Sequence, residues 1–355
     1  MFENIIKKKS IFLRKESIKN EYRTPLVPGD VQTLISNGFK VYVESSESRI
    51  YSDFEYEICG AIITTSNWTK FSDSLIIGLK ELDNLNLLNS HTHLYFSHSF
   101  LNQTGSTVVL DKFSKSKSIL YDLEYFLDSN NKRLVTFGFW AGFVGMALGL
   151  MQFYLKSNYQ SLEKLEPWVN INQVFSTINS LNQFNKINQN NQIKSNPKIA
   201  LIGYKGNCGR GVSKLLSDLS LDYTVFDSNS DKSTLISYDI IINCIKLKPS
   251  SKEIWFDQNT LFTKPIIIVD VSCDYTKSNN PIKLYFESTT WSNPVFKYNE
   301  FVDIISIDNL PSLLPKESSD EFSKDLTKLL LDYKSDPNKY WLFNFNIFIS
   351  KINNL

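Results

Sequence analysis

The three histidines of this 355-residue chain all lie between positions 91 and 98, at His91, His93 and His98. Histidine changes charge near neutral pH, so it serves in proton transfer and as a metal ligand. Alternate residues of a strand share a face, which makes His91 and His93 candidates for one metal ion, whereas His98 falls on the opposite face of a continuous strand. No cysteine or carboxylate in the segment completes a ligand set. We therefore expect no metal site, and we expect hydrogen-bonded structural roles for His91 and His93.

His98 has a candidate catalytic partner in Lys80. Lys80 follows the apolar run 74–79, and His98 ends the predicted strand 93–98. If the two strands are adjacent and parallel, their carboxyl ends meet at the sheet edge where open α/β sheets bind ligands. A lysine and a histidine in one site can act as general base and general acid. A surface lysine and a capping histidine are the alternative.

A glycine-rich turn forms a second candidate site. It follows the apolar run 198–202 and has glycines at positions 203, 206, 209 and 211. Such glycines let the backbone approach a pyrophosphate at a helix N-terminus, and an acid about 20 residues later binds the adenosine ribose. Asp227 lies 21 residues after Gly206, and no arginine adjoins it, which favours NAD over NADP. The spacing departs from a strict G-x-G-x-x-G, so an ordinary βα turn remains an alternative.

The elements that must position these residues are predicted from apolar runs and their periodicity. Strands are predicted over residues 39–44, 61–63, 74–79, 93–98, 198–202, 223–226, 240–244 and 266–271. Helical patterns cover residues 30–37, 212–219, 316–333 and 340–352, and the Asn-rich stretch 170–196 is predicted to be a surface helix and linker. Strands alternating with helices predict an α/β fold, and the length suggests two domains at roughly 150 residues each.

The uncharged run 137–155 is 19 residues long, which is enough to span a bilayer. Its glycines recur at small-xxx-small spacings that also occur in membrane helices. Because the run lies mid-chain and is the only such segment of the sequence, we predict a buried helix between two domains, where its glycines allow close packing. A membrane helix is the alternative.

Composition narrows the functional class. Lys+Arg and Asp+Glu total 38 and 37, a net charge of +1, which argues against a protein that coats nucleic acid. The four cysteines form no C-x-x-C pair, and the N-terminus carries charges too early for a secretory signal. These features predict a cytoplasmic protein without a nucleic-acid partner or a membrane partner.

Several segments in register carry a family resemblance. They are Leu79-Lys80-Glu81, residues 91–98, 102–105 and 121–125, Arg133, and residues 137–143, 269–274, 280–282 and 305–315. Together they resemble the fungal-type, NAD-dependent, lysine-forming saccharopine dehydrogenases, which are related in fold to the alanine dehydrogenases. The resemblance covers about residues 10–335 and is weak over 170–196.

The resemblance implies two Rossmann-like domains with parallel sheets and an active-site cleft between them. Residues 1–136 and 325–355 are expected to form the substrate and catalytic domain. Residues 137–324 are expected to form the dinucleotide-binding domain, entered through a long helix. The implied reaction converts saccharopine, NAD and water to L-lysine, 2-oxoglutarate and NADH, the last step of the α-aminoadipate route to lysine. A monomer is expected.

The resemblance also assigns roles to residues. Lys80 takes the proton of the substrate's secondary amine, and His98 shuttles protons as water adds to the resulting imine. Positions that match the family's substrate contacts are Arg23, Gln103, Arg133, Phe137, Ser272, Cys273 and Asp274. Positions that match its NAD contacts are Lys132, Gly206, Asn207, Asp227, Lys246, Val271, Ile307, Asp308, Asn309 and Leu310.

The chain departs from the family at several of these positions. Leu101 stands where the family commonly has a lysine, so we predict a shifted pH optimum; Lys132 stands where arginine is usual. Cys208 and Cys244 match positions that pair as a disulfide in some members, and reduced thiols are the alternative. Two other functions remain open: a related amino-acid dehydrogenase of the alanine type, and a catalytically silent NAD-binding homologue.

Overall fold

The structure is a computed structural model that describes residues 8–100, 105–188, 196–248, 250–335 and 340–355. Its strands are β1 (Ser10–Leu13), β2 (Lys40–Glu44), β3 (Ile62–Thr64), β4 (Leu75–Ile77), β5 (Thr92–Tyr95), β6 (Ile119–Asp122), β7 (Ile199–Ile202), β8 (Tyr223–Phe226), β9 (Ile240–Asn243), β10 (Ile266–Asp270), β11 (Phe296–Lys297) and β12 (Val302–Ile305). Its helices are α1 (Pro28–Ser36), α2 (Asp53–Ile58), α3 (Ser106–Lys115), α4 (Gly138–Lys156), α5 (Ile171–Asn188), α6 (Asn207–Asp218), α7 (Pro315–Ser335) and α8 (Trp341–Ile352). The chain divides into two compact units, Met1–Thr136 with Pro315–Leu355, and Phe137–Leu314.

The first unit is built on a parallel sheet in the order β3-β2-β1-β4-β5-β6. From β1 the chain adds strands toward one side of the sheet, and from β4 it adds them toward the other side. Doubly wound sheets bind ligands at the carboxyl ends of the strands beside such a switch point. The strands β4 and β5 are adjacent and parallel, as the Lys80–His98 hypothesis requires. Ile11, Phe12 and Ile76 in the central strands are fully buried.

The second unit contains a sheet in the order β11-β12-β10-β9-β7-β8. Its strands are parallel except for β11, which pairs antiparallel with β12 at the edge. Every residue of β7, β9, β10 and β12 is buried. The prediction that continuous apolar runs form central parallel strands is confirmed at 240–243 and 266–270.

Glycines let α4 pack closely inside the second unit. A Cβ added at Gly142 would overlap the carbonyl oxygen of Cys208, and one at Gly211 would overlap the carbonyl oxygen of Phe139. The helices α4 and α6 therefore cross backbone to backbone, an approach that side chains would prevent. Within the described residues α4 is the one helix long and apolar enough to cross a membrane, and 67% of its apolar window is buried. The prediction of a buried helix with closely packed glycines is confirmed, and the helix belongs to the second unit rather than standing between two domains.

Three predicted boundaries are wrong. The domain boundary after residue 324 would cut α7, which begins at Pro315 and belongs wholly to the first unit. The strand predicted over 93–98 ends at Tyr95, because the chain turns and His98 adopts a left-handed φ of 53°. The helix predicted from residue 212 begins at Asn207. Its first turns contain Gly209 and Gly211, which look like turn residues in the sequence but lie inside the helix and allow close packing.

Candidate active site

The carboxyl edge of the first sheet presents charged or titratable side chains in the turns that follow four of its strands. These residues are Glu16 after β1, Lys80 after β4, His98 after β5 and Glu124 after β6. A backbone hydrogen bond of 3.1 Å from the Phe96 N–H to the Leu79 carbonyl joins the two turns that carry Lys80 and His98. The structure thus brings together the turns of the two predicted catalytic residues.

A buried ion pair fixes the backbone of Lys80. The Glu16 carboxylate accepts hydrogen bonds from the N–H groups of Leu79 (2.7 Å) and Lys80 (3.0 Å). Arg14 donates to the Lys80 carbonyl and lies 3.3 Å from Glu16, and these two side chains are only 4% and 5% exposed. A Cβ at Gly78 would overlap the Arg14 guanidinium, so a glycine is required beside it. The position of Lys80 is therefore set by groups from β1 and β4.

His98 forms an ion pair with a carboxylate from the next strand. Its Nδ1 lies 3.3 Å from Glu124 Oε2, and its ring stacks on Phe96. The hydrogen bond with Glu124 raises the pKa of His98 above its ordinary value, against a smaller lowering by burial. Arg133 donates to the other Glu124 oxygen at 2.6 Å. Because Nδ1 faces Glu124 and the His98 side chain is 39% exposed, Nε2 is the ring nitrogen available for proton transfer.

Asp122 is a buried carboxylate at the end of β6. Burial raises its pKa to about 6, although hydrogen bonds from Ser97 and from the Glu124 N–H oppose that rise. Asn344 of α8 accepts from the Asp122 N–H at 3.1 Å and donates to its carbonyl at 2.7 Å. The C-terminal helix is thereby anchored at the catalytic edge.

The other two histidines lie inside the unit. His91 Nδ1 accepts from the Asn89 N–H at 2.9 Å, and its Nε2 lies 3.1 Å from the Thr69 carbonyl, which fixes its tautomer. His93 is fully buried among aromatic rings, including that of Trp68, and burial lowers its pKa well below the ordinary value. Neither ring nitrogen of His93 has a hydrogen-bond partner among the residues that the structure describes. The hydrogen-bonded structural role holds for His91 and is wrong for His93.

The glycine-rich turn leaves room for a phosphate. Gly203 has φ of +90°, and α6 begins at Asn207 directly after Gly206. A Cβ at Gly209 would overlap the carbonyl oxygen of Gly203, so this glycine permits close packing of helix against turn. A Cβ at Gly206 would come no nearer than 3.6 Å to that oxygen, so the protein itself does not require this glycine. Its absent side chain keeps the N-terminus of α6 open to an anion.

A cavity of about 370 Å³ extends from this turn to the end of β8. It is lined by Gly206 and Asp227 and, on other elements, by Lys232, Cys244 and Trp255. The Asp227 carboxylate is exposed, and hydrogen bonds from Asn229 and Ser230 lower its pKa, so the acid is ionised at neutral pH. An exposed anion there can accept hydrogen bonds from ribose hydroxyls. Turn, helix N-terminus and acid together fit a dinucleotide.

The remaining positions matched in the second unit lie at the same carboxyl edge of its sheet. They are Lys246 after β9; Val271, Ser272, Cys273 and Asp274 after β10; and Ile307, Asp308, Asn309 and Leu310 after β12. Lys246 Nζ lies 3.4 Å from Asp274. The buried Asp270 accepts from the N–H and hydroxyl of Ser272, at 3.1 and 2.7 Å, and thereby orders the turn in which Cys273 has φ of 51°.

The matched substrate residues of the first unit differ in availability. Arg23 is buried and doubly hydrogen-bonded to the Glu21 carboxylate, with Nε–Oε1 and Nη2–Oε2 distances of 2.7 and 2.5 Å. Arg133 is 45% exposed although it contacts Glu124. Lys132, which matches an NAD contact of the family, is exposed in the same loop. Phe137, a matched substrate position, precedes α4 in the second unit. Gln103 and Leu101 lie outside the described residues.

Within the described ranges, no role was predicted from the sequence for three carboxylates of these edges: Glu16, Asp122 and Asp270. Each ends or follows a parallel strand, and each accepts hydrogen bonds from the turn beside a matched residue. A search for acids at the ends of predicted strands would have found them. Cys208 and Cys244 are thiols rather than a disulfide, and burial raises the pKa of Cys244.

Comparisons with known proteins bear on this architecture. Residues 12–144 match the family model described as "Alanine dehydrogenase/PNT, N-terminal domain". The saccharopine dehydrogenase [NAD(+), L-lysine-forming] of Candida glabrata is 36% identical over 89% of this chain and 90% of its own length. That of Schizosaccharomyces pombe is 34% identical over 92% of this chain and 94% of its own length. The chain belongs to the saccharopine dehydrogenase [NAD(+), L-lysine-forming] family.

Solved structures agree on the fold of this family member. An L-alanine dehydrogenase superposes with a TM-score of 0.66 at 15% identity, covering 96% of this chain and 93% of that one. The resemblance to the saccharopine dehydrogenases and the prediction of two Rossmann-like domains are therefore confirmed. The cleft between them stays a prediction.

Proposed function

We propose that the chain is an NAD-dependent saccharopine dehydrogenase that cleaves saccharopine with water to L-lysine and 2-oxoglutarate. The observation that carries the proposal is the carboxyl edge of the first sheet, where the turn of Lys80 adjoins that of the His98–Glu124 pair. It stands in a chain that is 36% identical to a curated enzyme of this name. The glycine-rich turn and Asp227 supply a fitting cofactor site in the second unit.

Each catalytic side chain has one task in this proposal. Lys80 accepts the proton of the substrate's secondary amine. NAD, when bound, supplies the hydride acceptor that oxidises the adjacent carbon. His98 then accepts a proton from the water that adds to the imine and returns it to the leaving amine. As the carbinolamine collapses to the carbonyl, the neutral imidazole accepts the proton of its hydroxyl group. Glu124 orients the imidazole and stabilises its protonated form.

Cations are expected to hold the substrate's carboxylates. Arg133 is the matched arginine whose guanidinium is partly exposed, so a carboxylate can reach it. The Arg23 guanidinium is held by Glu21 through two of its nitrogens, and we propose that it is the second arginine that binds a substrate carboxylate. We further propose a cytoplasmic monomer.

NADH oxidation with different substrate pairs tests the proposal. We expect oxidation with L-lysine and 2-oxoglutarate together and none with either alone. Turnover on pyruvate and ammonia without turnover on lysine and 2-oxoglutarate would instead make the chain an alanine-type dehydrogenase. Absence of turnover on both pairs, with NADH still bound, would favour a silent NAD-binding homologue.

A further inference from the structure

Asp122 contacts the neighbours of both members of the His98–Glu124 pair. Its Oδ2 accepts from the Ser97 hydroxyl at 2.6 Å, and Ser97 directly precedes His98. Its Oδ1 accepts from the backbone N–H of Glu124 at 2.9 Å. A single carboxylate thus connects the turn after β5 with the turn after β6.

The Ser97 hydroxyl also contacts the residue on the other side of His98. The hydroxyls of Ser97 and Ser99 lie 2.7 Å apart, and the Ser99 N–H lies 3.3 Å from the Ser97 oxygen. Between them His98 has φ of 53°, a left-handed conformation that is unfavourable for a residue with a Cβ. All three polar residues of this network, Ser97, Ser99 and Asp122, are buried. The network therefore stabilises a backbone conformation that is unfavourable for an isolated histidine.

We propose that Asp122 is the positioning residue of the His98–Glu124 pair: it holds the left-handed turn that carries His98 and places a second negative charge near the imidazole. The proposal rests on the proposed function for its activity measurements, but its structural and titration measurements do not require turnover. It assigns Asp122 no contact with substrate, since the side chain is fully buried.

The charges around the pair define what removing Asp122 should do. The negative groups that raise the pKa of His98 are Glu124, Asp122 and Glu81, and burial opposes them. Arg133 neutralises part of the Glu124 charge. The titratable groups that face Asp122 are Glu124, His98 and the phenols of Tyr95 and Tyr125. Removing the Asp122 charge should therefore lower the pKa of His98.

Asp122→Asn is the principal variant, because it removes the charge and keeps the shape and an acceptor for the Glu124 N–H. We expect NMR titration of the three histidine side chains, assigned with His98→Gln, to show a lower pKa for His98 and unchanged His91 and His93. We expect kcat for NADH oxidation to fall about tenfold to 100-fold, because small displacements of a catalytic group have effects of that size. We also expect the limb of the pH–rate profile that is lost in His98→Gln to move to lower pH.

Asp303→Asn is the matched control. Asp303 is equally buried, accepts from Gln152 at 2.7 Å and pairs with Lys156 at 2.9 Å in the second unit. This variant should leave the pKa of His98 and the shape of the profile unchanged. A shift in the control equal to that in Asp122→Asn would overturn the proposal, and so would an unchanged His98 in Asp122→Asn.

Ser97→Ala decides the question if Asp122→Asn does not fold. Removing the hydroxyl should lower kcat with little effect on KM for NADH, and Ser97→Thr should restore part of the rate. A Ser97→Ala protein with wild-type kcat and profile would contradict the proposal. If the wild-type protein does not act on lysine and 2-oxoglutarate, the proposed function fails, yet the histidine titrations still test Asp122.

Discussion

The carboxyl edges of the two parallel sheets are organised in opposite ways. The edge of the first sheet presents charged side chains, and buried carboxylates fasten the backbone beneath them: Glu16 for Lys80, and Asp122 for His98 and Glu124. The edge of the second sheet presents glycines and an open helix N-terminus, and its acid, Asp227, is fully exposed. Proton transfer requires side chains held in place, whereas binding a pyrophosphate requires side chains to be absent.

The largest expected effect separates the two edges by their chemistry. Lys80→Met and His98→Gln should each lower kcat about 100-fold to 10,000-fold, the range of a lost general acid or base. Both should bind NADH as the wild type does, because neither changes the glycine-rich turn. Fluorescence titration of NADH beside the rate assay measures this. Lys115→Met, which removes a surface lysine of the same unit, is the control and should keep full activity.

Because the first edge buries the carboxylate of Asp122, the protein should lose stability as the pH rises. The folded-state pKa of Asp122, about 6, lies above its ordinary value of 3.8. Its contribution to stability is therefore complete below pH 3.8 and is lost as the pH rises through 6. Asp122→Asn does not titrate, so its free energy of unfolding relative to wild type should rise by about 2 kcal/mol between pH 4 and pH 8. Denaturant unfolding at the two pH values checks this, and a constant difference would refute it.

Added volume distinguishes two glycines of the second edge. Gly209→Ala should lower the free energy of unfolding by about 2 kcal/mol, because its Cβ meets the carbonyl oxygen of Gly203. Gly206→Ala has space within the protein and should fold normally, but it should bind NADH about tenfold more weakly if a phosphate lies against this position. Thermal unfolding and NADH titration of both variants make the comparison. Equal NADH affinity in Gly206→Ala and wild type would place the pyrophosphate elsewhere.

The smallest expected effect tests the clamp on Lys80. Glu16→Gln replaces one of the two accepting oxygens by an NH2 group, which cannot accept a hydrogen bond from a backbone N–H. It also leaves Arg14 without its counterion, so the Lys80 backbone should shift. We expect kcat to fall about tenfold with KM for NADH unchanged. Glu55→Gln is the control, because Glu55 also accepts a backbone N–H but lies on the surface in α2. If the two variants have the same kcat, Glu16 does not position Lys80.

The sequence was sufficient for the features that depend on local pattern. Apolar runs located the strands at 223–226, 240–243 and 266–270, and glycine spacing located the turn before α6. The family resemblance selected Lys80 and His98. The roles of Glu16 and Asp122 could not be predicted, because they depend on strand register: Glu16 meets Lys80 through the pairing of β1 with β4, and Asp122 meets Ser97 through that of β5 with β6.

Boundaries were lost for a related reason. The strand before His98 ends early because Ser97, Ser99 and Asp122 form hydrogen bonds that compete with the extended conformation. The α6 helix begins before its predicted start because Gly209 and Gly211, which are poor helix formers, lie inside it. Their close contacts in the fold compensate for their low helix propensity. In both places tertiary contacts overrode local preference.

We propose that the charged edge performs the chemistry of saccharopine and that the glycine-lined edge binds the cofactor. Mass spectrometry of the product formed from L-lysine, 2-oxoglutarate and NADH tests it most directly. We expect one molecule of saccharopine for each NADH oxidised, and no saccharopine with Lys80→Met. NADH oxidation without saccharopine, or saccharopine formation that survives Lys80→Met at the wild-type rate, would contradict it.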